Sequence, residues 1–221
     1  MGILIALEGL DGAGKRTLSN ALVDAWRGAG LSVATLAFPR YGVSVHADLG
    51  AEALHGGHGD TAESISAMAL LWALDRRDAA ADLREMIATH DIVLLDRYVA
   101  SNAAYTAARR HQSAQGPDVS WIEDLEFGRF GLPRPALQIL LKVPVELAAS
   151  RARSRAGIEA DRQRDAYERD SGLQARTGEV YDGLAVRQWI SPWTVVGPDV
   201  DPAQLAADVT NQRRARLGVT R

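Results

Sequence analysis

The sequence contains no cysteine, and only Lys15 and Lys142 among its 25 basic residues are lysines. The lack of cysteine excludes disulfides and thiolate metal sites, as is typical of proteins in a reducing compartment. No apolar run approaches the roughly 18 residues that a membrane-spanning helix needs. The first residues run directly into Glu8, which predicts a core strand rather than a signal peptide. These absences predict a cytoplasmic protein without a membrane partner.

The sequence also lacks a strong excess of charge of either sign. The formal net charge is −3 at pH 7. Proteins whose main partner is a polynucleotide usually carry excess positive charge, so we expect no nucleic-acid partner, although local basic clusters could still bind small phosphorylated ligands. The 221 residues, of which 47% are hydrophobic, are enough for one buried core. We therefore expect a single domain over residues 1–221.

Short apolar segments alternate with segments of helical periodicity along the chain. The strand-like segments are residues 3–7, 31–38, 91–95, 137–143 and 193–196. Near-continuous apolar strands are typical of a parallel sheet that helices cover on both faces. The sequence therefore predicts an α/β fold with a central parallel sheet of about five strands. One long helical pattern covers residues 61–90, and residues 211–221 are expected to fray.

A glycine-rich segment follows the first strand. It reads Gly9-Leu10-Asp11-Gly12-Ala13-Gly14-Lys15-Arg16-Thr17 and precedes a helical pattern. Glycine backbone can turn consecutive N–H groups toward phosphate oxygens. The beginning of the helix and the lysine ammonium add positive charge. This strand, loop and helix together predict a P-loop that binds a polyphosphate.

The residue after Lys15 departs from the usual P-loop pattern. That position normally supplies a hydroxyl ligand for Mg²⁺, but here it is Arg16, and the first hydroxyl belongs to Thr17. An arginine repels a metal ion and can contact phosphate. We therefore expect carboxylates, such as Asp11 or a more distant acid, to hold Mg²⁺.

Charged and polar residues follow the third strand in the order Asp96-Arg97-Tyr98, Ser101-Asn102 and Tyr105. An acid beside an arginine at the carboxyl end of a parallel strand is unsuited to the core and well suited to phosphate chemistry. We expect Arg97 to bind a second phosphate and Asp96 to position metal-bound water. The loop Phe38-Pro39-Arg40-Tyr41 follows the second strand and is expected at the same edge.

Two further segments each allow two interpretations. Trp72, Asp75 and Arg76 lie within one helical turn, which suits a stacking ring beside a charged fork or, equally, core packing with a surface ion pair. The arginine-rich run after the fourth strand is typical of a solvated helix face. Beside a P-loop, the same run also suits a mobile lid over about residues 149–164 that closes on the transferring phosphoryl group.

In combination, these segments resemble the thymidylate kinases, which phosphorylate thymidine 5′-monophosphate (dTMP) with ATP. The P-loop, the Phe38–Tyr41 loop, the segment from Leu94 to Tyr105 and the arginine-rich run before Asp165-Ala166-Tyr167-Glu168 occur in the family's order. The segment after the third strand is the most specific of these, because many NTPases share a P-loop. The resemblance covers essentially the whole chain and is closest to the actinobacterial, mycobacterial-type enzymes.

The resemblance implies a P-loop NTPase fold, ATP and dTMP as substrates, Mg²⁺ as cofactor and a homodimer. The catalytic residues that it implies are Asp11, Lys15, Arg16, Arg97 and Arg155. It assigns ATP binding to Gly9, Leu10, Asp11, Gly12, Ala13, Gly14, Lys15, Arg16, Thr17, Arg151, Arg155 and Arg162. It assigns dTMP binding to Asp11, Phe38, Tyr41, Trp72, Arg76, Arg97, Asn102, Tyr105, Asp165 and Tyr167. The metal ligands that it implies are Asp11 and Glu168.

Individual roles follow from the same resemblance. Arg97, with Phe38 and Tyr41, would bracket the acceptor phosphate. Arg76 and Asn102 would hydrogen-bond the thymine edge. Trp72 would stack on the thymine ring. Tyr105 would crowd the 2′ position and so exclude ribose.

Two positions depart from the family pattern. Trp72 stands where phenylalanine is expected, and Ile158 stands where another lid arginine is expected.

The residues also leave two other functions open. The chain could be a different P-loop nucleotide or deoxynucleoside kinase, or a nucleotide-dependent switch that phosphorylates no small molecule. The switch is the weaker alternative, because Asp96-Arg97-Tyr98 provides for a second phosphate.

Overall fold

The computed structural model describes residues 2–158, Tyr167 and residues 171–216. At its centre is a five-stranded sheet in the order β2-β3-β1-β4-β5. All neighbouring strands are parallel, which confirms the sequence prediction. The strands are β1 (Ile3–Glu8), β2 (Val33–Ala37), β3 (Ile92–Asp96), β4 (Leu137–Leu141) and β5 (Trp193–Val196).

Helices connect and cover the strands. They are α1 (Lys15–Gly28), α2 (Val45–Leu54), α3 (Ile65–Asp78), α4 (Ala80–Thr89), α5 (Val99–Arg109), α6 (Pro117–Glu123), α7 (Val145–Ile158), α8 (Ser171–Val186) and α9 (Pro202–Arg216). A π-helical segment, Asp124–Arg129, continues directly from α6. None of the described helices combines the length and apolar character needed to cross a bilayer.

The core lies on both faces of the sheet. Every residue of β4 is buried, and successive side chains of a strand point to opposite faces. Both faces of the sheet must therefore be covered, as in other parallel sheets. Among the helices that cover the sheet, α1 packs with α9, while α5 packs with α3, α6 and α8.

Strand order places the predicted site residues at one edge. The central strand β1 pairs with β3 on one side and β4 on the other, so the chain leaves β1 at the point where the strand order reverses. Ligands bind outside the carboxyl ends of the strands at such a point. The glycine-rich loop, the Phe38 loop and the Asp96-Arg97 segment all lie at this edge, because they follow β1, β2 and β3.

The helix boundaries differ from the sequence expectation in two places. The pattern over residues 61–90 folds as two helices, α3 and α4, that meet at Ala79. At the other end of the chain, α9 continues through Arg216, into the segment 211–221 that was expected to fray. Arg213 stabilises this helix, since its Nη2 lies 2.5 Å from Oδ1 of Asp91.

Candidate active site

A pocket of about 790 Å³ opens at the carboxyl edge of the sheet. It brings together residues that are far apart in the sequence, from the glycine-rich loop to Tyr167. Most of the side chains predicted to bind nucleotides line it, namely Asp11, Lys15, Arg16, Thr17, Phe38, Tyr41, Trp72, Arg76, Arg97, Asn102, Tyr105 and Tyr167. The lining therefore includes both a phosphate-binding loop and aromatic side chains.

The loop between β1 and α1 has the geometry of a phosphate cradle. Gly14 caps α1 with a φ of 103°, a left-handed conformation that other residues rarely adopt. Gly9 also requires glycine, because a Cβ there would lie 2.6 Å from the carbonyl oxygen of Leu141. Helix α1 begins directly after this turn, so its unpaired N–H groups face the pocket edge and favour an anion.

Lys15 is buried at the base of this loop. Its Nζ donates to the carbonyl oxygens of Gly9 and Leu10, each at 3.1 Å. Burial, together with the nearby charge of Arg97, lowers the pKa of Lys15 from 10.5 to about 8. The carbonyls hold the ammonium at the position from which it can turn toward a bound phosphate.

Arg97 contacts the glycine-rich loop from the end of β3. Its φ of 67° is unusual for a residue other than glycine, and strain of this kind is found where a side chain must be aimed at a functional site. Its Nη2 donates to Oδ1 of Asp11 at 2.7 Å, and its Nη1 donates to Oγ of Ser101 at 3.0 Å. The guanidinium therefore faces the same space as Lys15.

Asp11 is hydrogen-bonded to Arg97 and lies close enough to Lys15 to feel its charge. Its second oxygen accepts a hydrogen bond from the hydroxyl of Tyr105 at 2.9 Å. Burial alone would raise the pKa of Asp11, but the charges of Arg97 and Lys15 outweigh burial and hold it well below its ordinary range. Asp11 is therefore ionised at neutral pH, and its side chain is 34% exposed to the pocket.

Glu8 is a site residue that the sequence interpretation missed. It is completely buried at the end of β1 and accepts hydrogen bonds from the backbone N–H of Tyr98 (2.8 Å), from Ser101 Oγ (2.5 Å) and from the hydroxyl of Tyr181 (3.0 Å). Burial raises the pKa of Glu8, although these hydrogen bonds oppose the shift. Ser101 and Tyr181 both also contact Arg97, so Glu8 fixes the surroundings of that arginine.

The far end of the pocket carries the predicted base-binding residues. Arg76 and Asn102 are both buried there. Arg76 forms a two-armed ion pair with Glu126, with Nε and Nη2 at 2.6 and 2.8 Å from the carboxylate oxygens. Asn102 donates from Nδ2 to the same carboxylate at 2.8 Å and to the carbonyl of Ala69 at 3.0 Å. Glu126 lies in the π-helical segment, and the sequence interpretation missed it.

The Phe38–Tyr41 loop is fixed to α3. Asp75, which is fully buried, accepts from the backbone N–H of Arg40 at 2.9 Å and from its Nε at 2.7 Å. The same guanidinium donates to the backbone carbonyl of Asp75 at 2.8 Å. Helical spacing suggested that Asp75 either belongs to a charged fork or forms an ion pair on the surface of its own helix. Neither interpretation includes this contact, because Arg40 belongs to the loop after β2. The ring of Tyr41 meets Trp72 edge-on, with ring centroids 6.5 Å apart.

Two tyrosines, Tyr105 and Tyr167, form part of the pocket wall. The rings of Tyr105 and Tyr167 stack with centroids 5.9 Å apart. Arg109 supports Tyr167 by donating to its hydroxyl at 2.6 Å, and its guanidinium lies 4.9 Å from the ring centroid. Both tyrosines are among the residues predicted to bind dTMP.

Part of the predicted arginine-rich segment contacts the loop. Arg151 of α7 places Nη1 3.3 Å from the carbonyl oxygen of Ala13. Arg155 lies in the helical range of α7, but its side chain is outside the described part of the chain. Arg162, Asp165 and Glu168 also lie outside the described residues.

Known proteins of one family resemble this chain over most of its length. The family model for thymidylate kinase matches residues 7–191. The chain belongs to the thymidylate kinase family. It is 58% identical to a thymidylate kinase of Mycobacterium tuberculosis (strain ATCC 25618 / H37Rv) over 205 residues, which are 93% of this chain and 96% of the relative. A probable thymidylate kinase of Thermococcus onnurineus is 32% identical over 189 residues, 84% of this chain and 85% of the relative.

The departure at Trp72 from the thymidylate kinase pattern has a structural counterpart in α2. Gly50 lies directly against the indole, since a Cβ there would be 2.3 Å from Cη2 and 2.5 Å from Cζ3 of Trp72. The indole of Trp72, which is larger than the phenylalanine ring expected here, therefore extends into space that a side chain at position 50 would fill. Because part of the indole lies in this space, Trp72 narrows the pocket by less than the difference in size between the two rings.

Proposed function

We propose that the chain transfers the γ-phosphoryl group of ATP to dTMP, giving dTDP and ADP for dTTP synthesis. The main observation behind this proposal is that two phosphate-binding groups, the Lys15 loop and Arg97, both lie next to the Asp11 carboxylate. The Lys15 loop suits the phosphates of ATP, and Arg97, 2.7 Å from Asp11, suits the phosphate of dTMP. An enzyme with a single phosphate ligand would need only one of them.

The nucleoside end of the pocket supports dTMP as the acceptor. Trp72 offers a face for stacking on the base, and Arg76 and Asn102 line the same end. Tyr105 is held toward Asp11 by its hydroxyl, which suits the predicted exclusion of a 2′-hydroxyl. Phe38 and Tyr41 complete the wall beside the acceptor phosphate.

Positioning and charge neutralisation account for catalysis in this proposal. The acceptor phosphate is already ionised, so the reaction requires no strong general base. Arg97 aligns the acceptor phosphate for in-line attack, while Lys15 and Arg16 stabilise the equatorial oxygens of the transferring group. We assign supporting roles at the ATP phosphates to the predicted lid arginines Arg151, Arg155 and Arg162.

Mg²⁺ fits the carboxylates at this edge. Among the described residues no group of three acidic or histidine side chains is placed so that it could hold a metal ion. Two carboxylates nevertheless line the pocket, Asp11 and Asp96, and the buried Oδ1 of Asp96 has no hydrogen-bond partner within the described part of the chain. We propose that Asp11 and Asp96, together with the predicted ligand Glu168, hold Mg²⁺, which would neutralise the charge of the ATP phosphates.

Three further proposals concern the whole protein. We propose that residues 1–221 act as one nucleoside monophosphate kinase domain, that the enzyme works in the cytoplasm and that it is a homodimer. Exposed apolar side chains near the packed helices α2 and α3 support the homodimer, since Val45 is 63% exposed and Leu70 is 38% exposed.

A substrate panel tests the function directly. With ATP and Mg²⁺, we expect dTMP to be phosphorylated in preference to dUMP by about 10- to 200-fold, because one methyl group in a fitted pocket is worth roughly 1–3 kcal/mol. We expect dCMP, dGMP and thymidine to be much poorer substrates. Coupled measurement of ADP release gives kcat/KM for each compound. Preferred use of thymidine or dCMP would identify a different kinase, and ATP binding without ADP release proportional to dTMP would identify a switch.

The contact between Gly50 and Trp72 predicts the effect of one added methyl group. Gly50→Ala should raise the KM for dTMP about tenfold, because overpacking costs roughly 1–3 kcal/mol and pushes the indole toward the base. The double variant Gly50→Ala/Trp72→Phe should restore most of the affinity. Steady-state kinetics measures both effects.

Gly28→Ala provides the control for this substitution. Gly28 also lies in a helix, but a Cβ there would meet nothing within 4 Å. The KM of Gly28→Ala for dTMP should therefore equal that of the wild type. If Gly50→Ala binds dTMP normally, or if Trp72→Phe gives no rescue, the two residues do not limit the pocket together.

A further inference from the structure

Glu126 is buried behind the pocket wall and contacts both residues that face the base. It is completely buried and does not line the pocket. Its Oε2 accepts from Nε of Arg76, and its Oε1 accepts from Nη2 of Arg76 and from Nδ2 of Asn102. It lies in a π-helical segment, a rare conformation that occurs frequently at functional sites.

These contacts determine the orientation of the Asn102 amide. Nδ2 lies within hydrogen-bond distance of Glu126 and of the carbonyl of Ala69, and both partners can only accept. The NH₂ group must therefore point toward them, since the reverse orientation would place an oxygen against two oxygens. The Oδ1 of Asn102 accepts a hydrogen bond from the hydroxyl of Thr106 at 3.4 Å. As a carbonyl oxygen with two lone pairs, it can accept a second hydrogen bond from a ligand in the pocket.

The same carboxylate determines what Arg76 presents. Glu126 occupies the Nε and Nη2 edge of the guanidinium, so the Nη1 end is the part of this planar fork that a ligand can meet. The negative charge of Glu126 also balances the positive charge of Arg76. The pair therefore offers an oriented N–H donor without net charge, which suits a neutral carbonyl oxygen better than a phosphate.

We propose that Glu126 is the positioning residue that sets the hydrogen-bonding polarity of the nucleobase end, with a donor from Arg76 beside an acceptor from Asn102. This inference rests on the proposed function. Thymine presents the complementary pair, a carbonyl acceptor at C4 and an N–H donor at N3. Cytosine presents an amino donor at C4 and an acceptor at N3. Glu126 thus selects keto bases without touching the ligand.

Glu126→Gln tests the inference with almost no change in volume. One end of the glutamine amide becomes an NH₂ group, which must face N–H donors of Arg76 or of Asn102. We expect kcat/KM for dTMP relative to dCMP to fall about 10- to 100-fold, because hydrogen bonds to charged groups are strong and each factor of ten needs only about 1.4 kcal/mol. The loss should arise mainly from a raised KM for dTMP, with the KM for ATP unchanged.

The ratio of the two substrates is measured on one enzyme preparation, so a partly folded variant does not distort it. Glu126→Asp, which keeps an acceptor-only group, should weaken dTMP binding but retain most of the discrimination against dCMP. Glu123→Gln is the matched control. Its side chain lies outside the pocket lining, and Oε2 accepts from Trp189 Nε1 at 3.1 Å, so the ratio should not change.

A wild-type ratio in Glu126→Gln would overturn the inference while leaving the function intact. If both activities also stayed normal, Glu126 would have no role at the nucleobase end. If activity with dTMP and with dCMP fell by the same factor, Glu126 would only support the fold. If the wild-type enzyme itself fails to phosphorylate dTMP, the proposed function fails, and the inference fails with it.

Discussion

Replacing Arg97 with alanine is expected to lower kcat/KM for dTMP by about 10³-fold, the scale of arginine contributions to phosphoryl transfer. Arg97 contacts the Lys15 loop through Asp11, and we expect its guanidinium to face the proposed acceptor phosphate. Alanine would remove the two N–H donors that now reach Asp11 and Ser101. Steady-state assays with saturating ATP measure the loss, and we expect both kcat and kcat/KM to fall.

Arg77→Ala is the matched control for this variant. Arg77 lies on α3, is 45% exposed and pairs with its neighbour Asp78, so its removal should change activity less than threefold, as is typical of surface ion pairs. Circular dichroism and thermal unfolding establish that Arg97→Ala is folded. Near-normal turnover by folded Arg97→Ala enzyme would refute the assignment of the acceptor phosphate.

Replacing Lys15 with alanine is expected to lower turnover by about 10²- to 10³-fold, the effect of removing one donor that stabilises developing charge. The ammonium lies within 3.1 Å of two loop carbonyls, next to the proposed site of the ATP phosphates. Lys142→Ala is the control, because Lys142 is the other lysine of the sequence and forms an exposed ion pair with Asp182. Normal turnover by Lys15→Ala would contradict the proposed ATP site.

The pH profile provides an independent measure of Lys15. Burial, with the nearby charge of Arg97, lowers its pKa to about 8, so the free enzyme loses the ammonium as the pH rises through that value. We therefore expect kcat/KM for ATP to fall above about pH 8, and Lys15→Arg, which stays protonated, to lack this decline. Because the unfolded chain holds the proton to a higher pKa, this group makes the free energy of unfolding rise with pH over the same range.

Sequence patterns predicted the parts of the molecule that depend on neighbouring residues. The five strands follow from short apolar runs, and the phosphate loop follows from glycines between a strand and a helix. The boundary at Ala79 between α3 and α4 was not predictable in this way. Residues 61–90 contain no proline or glycine near that point, so packing against the rest of the fold determines where one helix ends and the next begins.

Contacts between distant segments were the part of the site that the sequence could not predict. Glu126 is 50 residues from Arg76, and Glu8 is 93 residues from Ser101. Helical or strand periodicity shows which side of an element is buried, but it does not identify the partner across the core. For Glu8 the available signal was a carboxylate directly after an apolar strand, since buried carboxylates are rare unless they are paired. Glu126 lies among Glu123, Asp124 and Arg129 and gave no such signal.

The link between Asp75 and Arg40 makes the two walls of the nucleoside pocket one mechanical unit. Helix α3 carries Trp72 and Arg76 at the proposed base site. Through Asp75 it also holds the loop that carries Phe38 and Tyr41 at the proposed phosphate site. A base that displaces α3 would also displace the Phe38–Tyr41 loop. Under the proposed function, this link would join recognition of the base to alignment of the acceptor phosphate, so we expect a poorly matched nucleotide to lose reaction rate as well as affinity.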